Sequence, residues 1–200
     1  MSKDFFAEKA GSYEQDRARV DNVKQIAAAI LGATKLHGSI HLMDFGAGTG
    51  LLLEQIAPYV GKITAVDVSP AMTAQLRAKL DRVACPIEIL QLDLESARLD
   101  RRFDGIISSM TLHHVKDVPR IFQTFYDLLH KGGFIALADL DREDGSFHSQ
   151  DTGVHHPGFE REALCQIARA AGFREVSIQS ASTLHKHDRD YGVFLLTALR

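Results

Sequence analysis

Leu42-Met43-Asp44-Phe45-Gly46-Ala47-Gly48-Thr49-Gly50 joins an apolar stretch, Ile40 to Phe45, to an apolar helix start, Leu51-Leu52-Leu53. Glycines at alternate positions of a strand-to-helix turn let the backbone pass close to a bound ligand, because no Cβ stands in the way. The dinucleotide fingerprint G-x-G-x-x-G is not met, since its third glycine position holds Leu51. The spacing is G-x-G-x-G, with Asp44 two places before the first glycine. A carboxylate there repels a pyrophosphate and suits a ligand with an ammonium group. The turn is therefore expected to hold a small cationic nucleoside, for which S-adenosyl-L-methionine is the candidate.

Outward from this turn, strand and helix signals alternate. Before it, apolar residues at near-helical period (Val20, Val23, Ile26, Ala27, Ile30, Leu31) predict a helix over 13–31, with Gly32 as a stop. After it come a helix at 50–58, a strand at 62–68, and a helix from Ser69-Pro70 to Leu80. Serine is the N-cap there and proline the first helical residue. Strands follow at 87–92 and 103–109, a helix at 118–129 ended by Lys131-Gly132-Gly133, a continuous apolar strand at 134–140, and a helix at 160–170. The tail differs: strands at 176–181 and 192–199 are joined by a polar loop with no helix between, which makes an antiparallel hairpin. Alternation of this kind implies an α/β, doubly wound, mostly parallel sheet. Ligands bind such sheets beyond the carboxyl ends of the strands. Those ends carry the glycine turn, Asp67, Asp93 and Ser109, so distant polar residues converge on one edge.

Asp67, 17 residues beyond Gly50, is placed to accept hydrogen bonds from the vicinal hydroxyls of a ribose. Met72 is placed either to pack on an adenine face or to fill the core. Asp93 is placed to accept from an adenine amine, with Leu94 against the ring, or to cap a helix locally.

With these residues in place, the chain resembles a class I, seven-stranded S-adenosylmethionine-dependent methyltransferase of the small-molecule group. Asp44-Phe45-Gly46-Ala47-Gly48-Thr49-Gly50 matches that family's first motif, and Val66-Asp67-Val68-Ser69 resembles the second. Leu92-Asp93-Leu94 resembles the adenine-contacting motif, Phe103 to Ser109 the fourth strand, and Leu128-Leu129-His130-Lys131-Gly132-Gly133 the turn before the fifth. The resemblance implies a Rossmann-like methyltransferase fold of seven strands, a single domain over 1–200, and an N-terminal helical lid over 1–36. It further implies cofactor contacts from Tyr13, Asp44, Gly46, Ala47, Gly48, Gly50, Asp67, Val68, Met72, Asp93, Leu94 and Ser109. The reaction expected is direct in-line transfer of a methyl group to a small-molecule acceptor, leaving S-adenosyl-L-homocysteine.

The acceptor side is read from histidines. His113 and His114 follow the fourth strand, while His148, His155 and His156 lie in the segment 141–157 above the same edge. His114 is the first candidate for a base or an orienting group. His113, His155 and His156 are candidates for the acceptor pocket, and the segment is expected to cover that pocket. Asp139, Asp141 and Asp144 form no metal-ligand spacing, so no metal is expected. Ser108-Ser109-Met110-Thr111 stands where base-amine methyltransferases resemble one another in an Asn/Asp-Pro-Pro-Tyr turn.

Two hundred residues suffice for one moderate core. A net charge of −3 gives no overall electrostatic footprint for nucleic acid. The basic cluster Arg98, Arg101, Arg102 reads as a solvated loop. No apolar run has membrane-spanning length, and the start of the chain is not a signal peptide. Two distant cysteines, Cys85 and Cys165, read as reduced thiols in a cytoplasmic protein, monomeric or homodimeric. Two other functions remain open at this level. One is a non-catalytic protein that binds S-adenosylmethionine or S-adenosylhomocysteine. The other is an NAD-dependent oxidoreductase, disfavoured by Asp44 and Leu51.

Overall fold

The computed structural model describes residues 4–148, 153–186 and 188–200. Residues 1–3 of the expected N-terminal cap and residues 149–152 of the expected acceptor-site segment lie outside the described residues. The strands are β1 (His41–Phe45), β2 (Lys62–Asp67), β3 (Ile87–Gln91), β4 (Phe103–Ser109), β5 (Leu129–Leu140), β6 (Arg174–Lys186) and β7 (Arg189–Leu199). The helices are α1 (Arg17–Ala33), α2 (Leu51–Ile56), α3 (Pro70–Arg77), α4 (Val118–Leu128) and α5 (Arg161–Ala170). One seven-stranded sheet runs in the order β3-β2-β1-β4-β5-β7-β6. Its first five strands are parallel, and β7 runs antiparallel between β5 and β6.

The reversal of strand order lies between β1 and β4, so the glycine turn after β1 opens at the crevice where doubly wound sheets bind ligands. Alternation along the strands feeds two cores. Leu42 joins α1 and α2 on one face through Ile26, Ile30, Leu53 and Ile56. Met43 joins α4 and α5 on the other through Phe122, Phe125, Leu164 and Ala168. Fully burying side chains of this size contributes about 1.5–3 kcal/mol each, which fixes the register and with it the strand ends that carry the site.

Four expectations change. The strand expected at 134–140 begins already at Leu129, so the turn expected before it, Lys131-Gly132-Gly133, lies within β5. The helix expected over 13–31 is split: a 3-10 turn covers Ala10–Gln15, and α1 begins at Arg17, where the Asp16 carboxylate caps the Arg19 N–H at 3.2 Å. Capping competes with helix continuation at aspartate. The polar loop expected between the last strands is itself ladder, with Thr183 opposite Gly192, Leu184 opposite Tyr191 and His185 opposite Asp190. Backbone pairing needs no apolar side chain, and one face of an antiparallel ribbon can stay wet. Arg101 and Arg102 are not simply solvated: Arg101 pairs with Glu88 at 2.8 Å, and Arg102 donates to the Leu129 carbonyl at 2.9 Å.

Candidate functional site

The glycine turn is held against β2, where the Gly46 and Ala47 N–H groups both donate to the Val66 carbonyl, at 2.8 and 3.1 Å. All three glycines have positive φ: 71° at Gly46, 56° at Gly48 and 91° at Gly50. Their surroundings differ. A Cβ at Gly46 would stand 2.2 Å from the Thr111 side chain, and one at Gly50 would stand 2.6 Å from Leu76 Cδ1. At Gly48 nothing lies nearer than the Gly46 carbonyl, 4.0 Å away. Two of the glycines are therefore demanded by the protein's own packing. The third faces open space on the ligand side of the turn.

Near the ends of β1 and β4 and within the turn are buried oxygens without a hydrogen-bond partner among the described residues: Asp44 Oδ2, Thr49 Oγ1 and Ser109 Oγ. Orphaned polar atoms are rare in native structures and cost free energy unless a ligand or water completes them. Asp44 is 1% exposed. Burial, and then the nearby Asp67, push its carboxyl up to about 8. An ammonium group placed beside it would reverse that shift.

Asp67 ends β2 with both oxygens engaged, Oδ2 accepting from the Gly48 N–H at 2.7 Å and Oδ1 from the Ser69 N–H at 2.8 Å. Burial pushes this carboxyl up, against the downward pull of those backbone N–H groups. A carboxylate has about four lone-pair sites, so two remain for a diol. Beside it, Val68 is 59% exposed, an apolar side chain left open at the sheet edge. Tyr13 is half-buried beneath the Arg19 guanidinium, which lies 4.0 Å from the ring centre, and burial pushes the phenol up.

Other expected contacts fall differently. Met72 is 3% exposed and belongs to the core, its N–H donating to the Ser69 hydroxyl cap. The Asp93 oxygens make a local cap, accepting from the Glu95 N–H and the Ser96 hydroxyl, both at 2.9 Å. Leu94 is buried and Ala47 nearly so.

The acceptor side is built from imidazoles. His113 is 2% exposed, and its Nδ1 lies 2.7 Å from the buried Asp139 carboxylate. The ring of His114 lies 4.2 Å from that of His113, and His148 lies 5.0 Å from His113 and 6.1 Å from His114. The Gly153 carbonyl, 3.2 Å from His114 Nδ1, places the proton there and leaves Nε2 as the acceptor. Burial, and then His113, push His114 down to about 4; His148 is also pushed down to about 4, mainly by burial. The expectation for His155 and His156 is revised. Both N–H groups turn inward to the His113 carbonyl, His156 Nε2 is spent on the Val115 carbonyl at 2.9 Å, and His155 is exposed. The histidine of the 141–157 segment that meets His114 is His148.

The N-terminal segment spans both halves. Asp4 accepts from the Ser69 hydroxyl at 2.9 Å, and the Phe6 ring lies 5.4 Å from that of His114. Sequence reading missed Thr49, Asp4, Phe6 and Met110. Met110 holds φ of 58° directly after β4, a conformation non-glycine residues rarely adopt. Only Thr49 carried a signal, its place inside the glycine turn. No group of three or more His, Cys, Asp and Glu side chains suited to a metal occurs among the described residues. Likewise, no helix there is long and apolar enough to cross a membrane. The open face at Gly48, the orphaned oxygens and the Asp67 carboxylate together fit a ligand with ammonium, diol and apolar ring parts.

Residues 13–178 match the family model described as a methyltransferase domain. An uncharacterized methyltransferase of Schizosaccharomyces pombe is 28% identical over 162 residues, covering 72% of this chain and 55% of that protein. The chain spans about half, or less, of the length of the curated relatives it matches. Among solved structures, the protein complexed with the Haloferax volcanii Trm112 methyltransferase activator superposes with a TM-score of 0.77. It is 17% identical and covers 100% of this chain and 99% of its own. Haemonchus contortus phosphoethanolamine N-methyltransferase 2, solved with phosphomonomethylethanolamine and S-adenosylhomocysteine, gives 0.74 at 16% identity, over 100% of this chain and 60% of its own.

Proposed function

Because the chain belongs to the methyltransferase-domain family, whose cofactor is S-adenosyl-L-methionine, we propose that it methylates a small-molecule acceptor by direct displacement. The observation that carries this reading is the open face of Gly48, together with the unpartnered oxygens of Asp44, Thr49 and Ser109 in the same turn and at the adjoining strand ends. The backbone of Gly46 to Gly50 with Asp44 would hold the methionine part, Asp67 the ribose and Val68 the adenine. Bound there, the cofactor supplies a sulfonium methyl that an acceptor's nucleophile displaces in line.

The chain's own contribution is position and shelter. The Asp4–Phe6 segment and the loop after β5 enclose the edge between Ser69 and His114, which excludes water and favours near-attack geometry. His114 Nε2 accepts a hydrogen bond from an acceptor hydroxyl or amine. With its affinity for protons lowered by burial, it stays neutral at pH 7 and orients more than it deprotonates. The His113–Asp139 pair braces that ring from behind.

A methylation assay over a metabolite panel tests the reading, with S-adenosylhomocysteine formation as the readout. Binding of S-adenosylhomocysteine with no turnover on any acceptor would favour a non-catalytic binding protein, and binding of NAD in its place would overturn the reading. Asp67→Ala is expected to remove charge-assisted hydrogen bonds worth about 1.5–3 kcal/mol each, a roughly tenfold to hundredfold loss of S-adenosylhomocysteine affinity. Unchanged affinity by calorimetry would leave Asp67 as a brace for the Gly48 and Ser69 N–H groups only. His114→Ala is expected to lower kcat/KM by roughly tenfold, the loss of one orienting hydrogen bond of about 0.5–1.5 kcal/mol, while S-adenosylhomocysteine affinity stays within about twofold, since the proposed cofactor contacts lie elsewhere. A parallel loss of both would move His114 into the cofactor half.

A further inference from the structure

The sheet edge opposite the glycine turn carries a second concavity. Strands β4 and β5 begin there, α4 and α5 end there, and the chain leaves β7 there. Arg102, Tyr126, His130, Lys131, Arg174 and Arg200 line a cavity of about 590 Å³. Four of these side chains are full cations, and no Asp or Glu side chain lines the cavity. Among the described residues the ion pairs of lysine and arginine all involve other side chains.

The three arginines are held by main-chain oxygens. Arg102 donates to the Leu129 carbonyl at 2.9 Å, and Arg200 donates to the same oxygen. Arg174 reaches the Arg200 carbonyl at 3.3 Å, and the Arg200 guanidinium stacks 4.7 Å from the centre of the Tyr126 ring. Two guanidinium groups sharing one carbonyl repel each other, so the free protein carries an unfavourable charge density that an anion would relieve. The C-terminal ends of α4 and α5 offset about half a charge each. Against four cations, a net positive charge remains.

We propose that this cavity binds a small phosphorylated molecule with two or more adjacent phosphate groups. Guanidinium forks match phosphate oxygens bidentately, and a diphosphate carries charge for several cations at once. A lone carboxylate would balance one. The volume lies in the range of small-molecule sites and exceeds what a single phosphate fills. The proposal does not depend on the methyl-transfer reading, because the site shares no residue with the cofactor edge.

Calorimetry on the full chain at low salt, with inorganic pyrophosphate, ADP and adenosine as probes, tests it. Saturable binding of pyrophosphate and ADP but not adenosine is expected, undisturbed by saturating S-adenosylhomocysteine. ADP binding more tightly than pyrophosphate would identify a nucleotide as the source; equal affinity would identify the diphosphate alone. Lys131→Glu with Arg174→Glu should lower pyrophosphate affinity at least tenfold and leave S-adenosylhomocysteine binding and melting temperature unchanged, since both side chains are exposed. Arg102 and Arg200 are left intact because they also anchor Leu129. The assignment fails if pyrophosphate gives no saturable heat, if the double variant binds it equally well, or if S-adenosylhomocysteine displaces ADP.

Discussion

Gly48→Val leaves a folded protein whose S-adenosylhomocysteine binding falls below detection, a loss of roughly 10³-fold or more. The three turn glycines are not equivalent tests. Substituting Gly46 or Gly50 drives a Cβ into Thr111 or Leu76, so loss of binding there would not separate a broken turn from a blocked site. At Gly48 an added Cβ meets only the Gly46 carbonyl, 4.0 Å away. Its cost to folding is the φ of 56°, about 1–3 kcal/mol for a branched residue in that region, a small shift in melting temperature. Its cost to binding is the whole volume that the ligand backbone must enter. Circular dichroism with calorimetry on the same sample reads both. A folded variant that binds S-adenosylhomocysteine normally would show the turn to be structural only.

Much of this site could be read from residue order because its parts end strands. The strand from Phe103 to Ser109, with Phe103, Ile106, Ile107 and Ser108 buried, has in the sheet the limits read from the sequence. Asp44 and Asp67 follow from that placement. The unreadable part is assembled by segments without periodicity. His148 reaches His113 through a loop with no repeating pattern, and Asp4 and Phe6 reach Ser69 and His114 through irregular turns. His113 looked like a pocket residue and is instead paired in the core with Asp139, a partner 26 positions away. The basic cavity gathers residues near 102, 131, 174 and 200 from five separate elements or turns. A net charge of −3 concealed it, because a sum over the chain has no spatial content.

The affinity for S-adenosylhomocysteine is expected to rise about 50-fold between pH 6 and pH 8 and to level off within about one further unit. Asp44 is the cause. Its carboxyl in the free protein is pushed up to about 8 by burial and by Asp67, so below that pH it is protonated and offers no charge to an ammonium group. Binding the ligand's ammonium group requires the carboxylate. Each pH unit below 8 therefore costs about a factor of ten, one proton being released per ligand bound. The sign for stability is the reverse. A carboxyl raised above its unfolded value of 3.8 binds a proton on folding, so its contribution to the free protein is fully present below about pH 4 and is lost as pH rises towards 8. The melting-temperature gain on adding ligand should therefore widen with pH, because the free protein weakens while the complex, which like the unfolded chain keeps Asp44 ionised, holds its stability. Asp67 is raised in the same direction, so Asp44→Asn isolates the effect of Asp44. That variant should lose most of the pH slope of binding and of free-protein stability, and calorimetry in buffers of different ionisation enthalpy should show its proton release vanish. A wild-type affinity that is flat from pH 6 to 8 would mean that Asp44 is already charged before the ligand arrives. The ammonium-recognition role argued from its place before Gly46 would then fall.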